Sequence, residues 1–134
     1  MRTLTIAQMT LRAGFLIELV LGILYWTNVI DPDTSPAVKG IHMLIGIIVV
    51  LSLWIIGLAQ GFMKGSNDLG LALLTFIVGL AVIIVGLFQT QWLTADSQHW
   101  IVQVIHLLLG IIAIGTGEMV AAIAKRRVKA ARAA

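Results

Sequence analysis

The chain of 134 residues contains no cysteine. Disulfides, cysteine-ligated zinc, iron–sulfur clusters and thiol catalysis are therefore excluded. Charge is also scarce: 11% of residues are Asp, Glu, Lys or Arg, against roughly 25% in soluble domains. Proline occurs twice, both times in "DPDTSP", so long stretches are free of breakers. What remains is hydrocarbon. The hydrophobic share is 60%, where soluble domains hold about 45–50%. This is a membrane protein, and its length leaves no room for a soluble domain beside the spans. The net charge of +3 comes largely from the C-terminal "KRRVKAARAA", residues 125–134. Beside spans, that stretch reads as a basic cytoplasmic cap, and no nucleic-acid partner is expected.

Four apolar segments, at roughly 12–30, 37–60, 69–91 and 98–124, each supply the ~20 residues a membrane helix needs. "DPDTSP", "KGSND" and "TADS" separate them with turn chemistry. The first segment is too long for a secretory signal's apolar core and lacks a small-x-small cleavage site, so it is read as a true helix. Arg2, Arg12, Lys64, Lys125, Arg126, Arg127, Lys129 and Arg132 fall at one face and only Lys39 at the other. Both termini are then expected in the cytoplasm of a plasma-type (inner) membrane, with Asp31, Asp33 and Asp96 outside. Trp26, Trp92 and Trp100 fall near the outer interface, which indoles favour.

An offset of 64 residues carries His42 onto His106, Gly46 onto Gly110 and Gly22 onto Gly86. "IHMLIGIIVV" and "IHLLLGIIAI" agree at Ile, His, Leu, Gly, Ile and Ile without a gap, and "LVLGIL" (19–24) lies over "IIVGLF" (83–88). The chain reads as a duplicated helical hairpin within one transmembrane domain, with repeats at about 12–62 and 69–126. The expected fold is all-α: a four-transmembrane-helix bundle of two tandem hairpins related by a pseudo-twofold axis along the membrane normal. The second and fourth helices are diagonally opposed in that arrangement.

Such symmetry places His42 and His106 at one depth on opposite sides of the axis, level with Gly22 and Gly86 to within a turn. Two facing imidazoles in hydrocarbon suit a bis-histidine haem. The iron takes one nitrogen from each side, and glycines on neighbouring helices let the flat ring approach the backbone. Gly46 and Gly110, four residues after each histidine, share the ligand's helical face. No Cys-x-x-Cys-His run exists for covalent attachment, so one haem b is expected. Lys39, three residues before His42, and its repeat counterpart Gln103, three before His106, are candidate partners for haem propionates at the outer surface.

Blander readings exist for each residue. A membrane histidine can simply hydrogen-bond to a neighbour, and glycines commonly line helix interfaces. Two histidines leave zinc's usual set of three or four protein ligands unfilled. His99 reads as a solvated interfacial imidazole or a minor participant beside a propionate. Glu18, replaced by Val82 in the second repeat, is either a proton-handling group, for example toward a quinol, or a buried acid paired with a polar neighbour. Glu118 lies toward the cytoplasmic end, within reach of Lys125 or a neighbouring span. Trp54, Phe62 and the five methionines read as packing.

One histidine on helix 2 and one on helix 4, with glycines facing the ring, resembles the b-type membrane cytochromes of four-helix type, loosely the cytochrome b561-like and superoxide oxidase-like proteins. The resemblance is one of architecture, carried by His42, His106, Gly22, Gly46, Gly86 and Gly110. It implies one-electron transport, with a quinone-type or protein redox partner. Histidine is absent from the cytoplasmic half, so the function expected is that of a single-haem cytochrome near the outer face. It would act alone, as a homodimer, or within a larger membrane complex. The competing expectations are a small proton-coupled transporter using Glu18 and a haem-free accessory subunit.

Overall fold

The computed structural model describes residues 2–31, 34–63, 68–93 and 98–133. Among them there is no strand. The chain forms four α-helices, α1 (Arg2–Trp26), α2 (Pro36–Gly61), α3 (Leu69–Phe88) and α4 (His99–Ala133), with a 3-10 turn (Gln89–Gln91) prolonging α3. All four are long and apolar enough to cross a membrane. Even α3, with 20 residues, reaches the ~30 Å of a hydrocarbon core. The chain is thus a transmembrane four-helix bundle. Lys64, Asp33 and Asp96, and the turn residues of "TADS", lie outside the described residues.

Two helices overrun the apolar segments that announce them. α1 begins at Arg2 rather than near residue 12 because Leu4, Ala7 and Leu11 form a buried stripe among threonines and glutamine. α4 runs through the basic stretch to Ala133. Alanine, lysine and arginine are strong helix formers, so nothing there stops the helix. α1 does stop sharply. Asn28 adopts φ 55°, its N–H donates to the Tyr25 carbonyl (3.1 Å), and the Val29 N–H donates to that of Leu24 (3.0 Å). This is a Schellman closure, with asparagine taking the left-handed position.

α2 packs against all three other helices, whereas α1 and α3 share no contact among the described residues. α2 and α4 therefore meet between them. The fully buried side chains gather at one end: Leu4, Leu11, Leu53, Ile56, Val120 and Ala124 belong to one cluster. Call this the basic end, since Arg2, Arg12 and the α4 cations lie there. Glycines make it tight. A Cβ on Gly14 would meet Val49 Cγ2 at 2.6 Å, one on Gly117 would meet Leu11 Cδ2 at 2.3 Å, and one on Gly57 would meet Thr75 Oγ1 at 1.8 Å. These are interface glycines of the kind common between membrane helices.

A polar network ties α1 to α4 at the same end. Arg12 donates from Nε and Nη2 to the two carboxylate oxygens of Glu118, both at 2.6 Å. Gln8 Nε2 donates to Glu118 Oε2 at 2.7 Å, and Lys125 Nζ donates to Gln8 Oε1. Glu118 is thus satisfied mainly by Arg12 and Gln8, with Lys125 acting through Gln8. A bidentate arginine–carboxylate fork fixes the register of two helices more than it adds stability. Arg127 also reaches Asp68 Oδ2 at 2.5 Å, joining α4 to the start of α3.

Candidate functional site

The opposite end of the bundle is built differently. α1 has no buried residue after Gly14, α2 none before Val49 and α3 none after Gly79. Val102 is the one buried residue of α4 before Ala113 among those described. All four helices send site residues into this loosely filled half. Glu18, Gly22 and Tyr25 follow one another at helical spacing on one stripe of α1. α2 contributes His42 and Gly46, α3 contributes Gly86, and α4 contributes His106 and Gly110.

The two histidines meet. Their ring centroids are 6.3 Å apart, with planes inclined at 70°. Two metal–nitrogen bonds of about 2.0 Å, plus the distance from each nitrogen to its ring centre, span about 6 Å. The observed spacing is that of an edge-to-face ring contact, and it also leaves length for one metal atom where a nitrogen of each ring faces the other. Neither ring faces lipid: the His42 side chain is 18% exposed, and His106 Nδ1 is buried.

The surroundings of the two imidazoles differ. His42 Nδ1 lies 2.5 Å from Glu18 Oε2, in the contact range of a charge-assisted pair. The ring N–H is not aligned along this contact as in a straight hydrogen bond. Hydrogen bonds of functional sites often align only when the site fills. Tyr25 adds an edge-on contact to His42, with centroids 5.6 Å apart and planes at 86°. Its hydroxyl is buried and has no hydrogen-bond partner among the described residues. His106 Nδ1 has none either. That ring rests on Gly86, where a Cβ would come within 3.1 Å of His106 Cε1. The repeat equivalents break step here because Val82 stands where Glu18 stands in the first copy. No atom lies within 4 Å of a Cβ at Gly22.

The remaining expected residues fall around this pair. At Gly46 the nearest atom to an added Cβ is Glu18 Oε2 at 3.8 Å, and at Gly110 it is Phe15 Cε2 at 3.7 Å. Gly22, Gly46 and Gly110 are therefore not close-packing glycines like those of the basic end. Gly22 opens on unfilled space, and an added Cβ at Gly46 or Gly110 would make ordinary van der Waals contact with Glu18 or Phe15. Lys39 is exposed and Gln103 half-buried, each one turn outside its histidine. His99 is half-buried at the start of α4. Sequence reasoning missed Tyr25, although its position seven residues after Glu18 placed it on the same stripe.

Comparison with known protein families, curated proteins and solved structures yields no match for this chain. The donor set must speak for itself. Among the described residues, no group of three or more His, Cys, Asp or Glu side chains is arranged to hold a metal ion. Two imidazole nitrogens suit a metal that brings its other ligands with it. An iron porphyrin does so.

Proposed function

We propose that this chain is a single-haem b-type membrane cytochrome that carries electrons near the outer face of a bacterial-type plasma membrane. The observation that carries this reading is the 6.3 Å separation of the His42 and His106 rings. His42 and His106 would hold the iron. When bound, the haem supplies a one-electron carrier whose potential the protein sets by ligation, burial and nearby hydrogen bonds. Glu18 would orient His42, and Gly22, with Gly46 and Gly110 nearby, would leave room for the ring. Gly86 seats the His106 imidazole. Lys39 and Gln103, at the outer rim, are placed to receive propionates.

The finer architecture belongs to the same reading: two tandem hairpins about a pseudo-twofold axis, the basic end in the cytoplasm, and both termini there. The 64-residue offset and the paired histidines support it. A quinol or a redox protein is the expected partner, and the chain would work alone, as a homodimer or inside a larger membrane complex. The transporter alternative requires Glu18 to exchange protons freely; its contact with His42 favours a supporting role instead.

Absorption spectroscopy tests the proposal. The purified chain is expected to carry one haem b, with a low-spin Soret band that shifts on reduction. His42→Ala and His106→Ala are each expected to remove that low-spin spectrum while helix content by circular dichroism is kept. A colourless wild-type protein that also takes up no added haem contradicts the proposal.

A further inference from the structure

The two imidazoles that face each other do not have the same support, and this difference bears on what the site can bind. His42 is held from behind by a carboxylate, with Nδ1 2.5 Å from Glu18 Oε2. Neither buried Nδ1 makes an aligned hydrogen bond among the described residues, but only that of His42 is in contact with a carboxylate there. The His106 ring lies against Gly86, where an added Cβ would come within 3.1 Å of Cε1. One ring therefore has a carboxylate against its Nδ1 and the other has no hydrogen-bond partner there among the described residues.

We propose that the two axial positions are unequal. On this view Glu18 fixes His42 as the permanent ligand, and His106 is displaceable. The α4 side of the haem then accepts a small neutral iron ligand such as carbon monoxide. The inference rests on the haem reading above. Its chemistry is ligand exchange: the bond from iron to the His106 nitrogen breaks, a bond from iron to the incoming ligand forms, and no electron or proton is transferred.

Two physical effects point this way. A carboxylate behind a ligating histidine fixes its orientation and raises its basicity, and removing such a partner typically weakens metal binding about 10–100-fold. A charged acceptor in contact with a ring nitrogen is also a stronger electrostatic partner than a neutral one. His42 Nδ1 has a carboxylate in contact, and His106 Nδ1 has no hydrogen-bond partner among the described residues. The difference is written in the sequence, since the residue 64 positions after Glu18 is Val82, which cannot accept a hydrogen bond. Glu18 is thus a positioning residue: it acts on the iron through His42, and it also pulls the potential down by strengthening that ligand's donation.

The test compares His42→Gly, His106→Gly, Glu18→Leu and Glu18→Gln in the full-length chain, with circular dichroism as the folding control. His106→Gly is expected to retain haem and, once reduced, to bind carbon monoxide with a shifted Soret band; added imidazole restores the low-spin spectrum. His42→Gly is expected to retain at least tenfold less haem. Glu18→Leu is expected to weaken haem affinity about 10–100-fold. Glu18→Gln, which keeps the shape and removes the charge, is expected to raise the midpoint potential. Equal haem loss in the two histidine variants overturns the inference, as does a Glu18→Gln protein with unchanged potential. In both cases a coloured wild type leaves the haem reading standing. A colourless wild type overturns both together.

Discussion

Alanine at Gly57 is expected to loosen the bundle more than any other single methyl group. Its Cβ would lie 1.8 Å from Thr75 Oγ1, 2.9 Å from Thr75 Cβ and 3.1 Å from Thr75 Cγ2. Rotating the threonine moves its branch atoms but leaves its Cβ in the way, so α2 and α3 must part. They are held close nearby as well: a Cβ on Gly61 would meet that of Ala72 at 2.9 Å, and one on Gly79 would meet Trp54 Nε1 at 2.3 Å. Overpacking of this kind costs about 1–3 kcal/mol. For a chain of this size, that lowers the melting midpoint by roughly 4–12 °C. Adding Thr75→Gly removes the obstructing atoms. The double variant is therefore expected to recover part of the loss, as neighbours in contact do in a mutant cycle. A Gly57→Ala midpoint equal to that of the wild type, measured by circular dichroism in detergent, contradicts the close approach.

Phenylalanine at Gly22 is expected to act in the opposite way, weakening cofactor binding and sparing the fold. No atom lies within 4 Å of a Cβ there. The position nonetheless faces inward, between Glu18, which touches His42, and Tyr25, which meets the same ring edge-on. A benzyl group would fill the clearance beside the imidazole pair. If filling it costs the haem the ~1–3 kcal/mol typical of overpacking, affinity falls about 5- to 150-fold. The melting midpoint of the haem-free protein is expected to stay at the wild-type value. Haem titration followed in the Soret region, beside thermal melts of the apo form, separates the two effects. Unchanged haem affinity removes Gly22 from the cradle.

These two glycines show what sequence can and cannot tell. Both sit in apolar helices and look alike on paper. Gly22 belonged to a repeat with Gly86, and that pattern placed it beside the histidines. Gly57 had no such signal, and its role emerges only when Thr75 of another helix is brought against it. The spans themselves were legible because apolar runs of membrane length are hard to mistake: α2 and α3 begin and end within a residue or so of the runs that announced them, counting the 3-10 turn with α3. α1 and α4 were under-read because their ends are not continuous apolar runs. The N-terminal stripe of α1 hides among polar residues, and the end of α4 is held by the helix propensity of lysine, arginine and alanine.

Contacts between distant residues were the least legible. The meeting of His42 with His106 could be expected because the 64-residue offset suggested one depth for both. Glu18 was recognised as an intramembrane acid, yet nothing local named His42 as its partner. Arg12 and Glu118 are separated by 106 positions, and each had a simpler local reading, as an interfacial cation and as a partner for Lys125. Only the packing of α1 on α4 decides between such readings.

The central claim is that His42 and His106 are two ligands of one haem iron. Electron paramagnetic resonance of the oxidised, full-length protein tests it most directly. Imidazole planes inclined at 70° leave the two iron dπ orbitals nearly degenerate. The expected result is one low-spin ferric signal per chain with strong g anisotropy, lost in both His42→Ala and His106→Ala. A high-spin ferric signal in the wild type, or a low-spin signal that survives either substitution, would contradict the account.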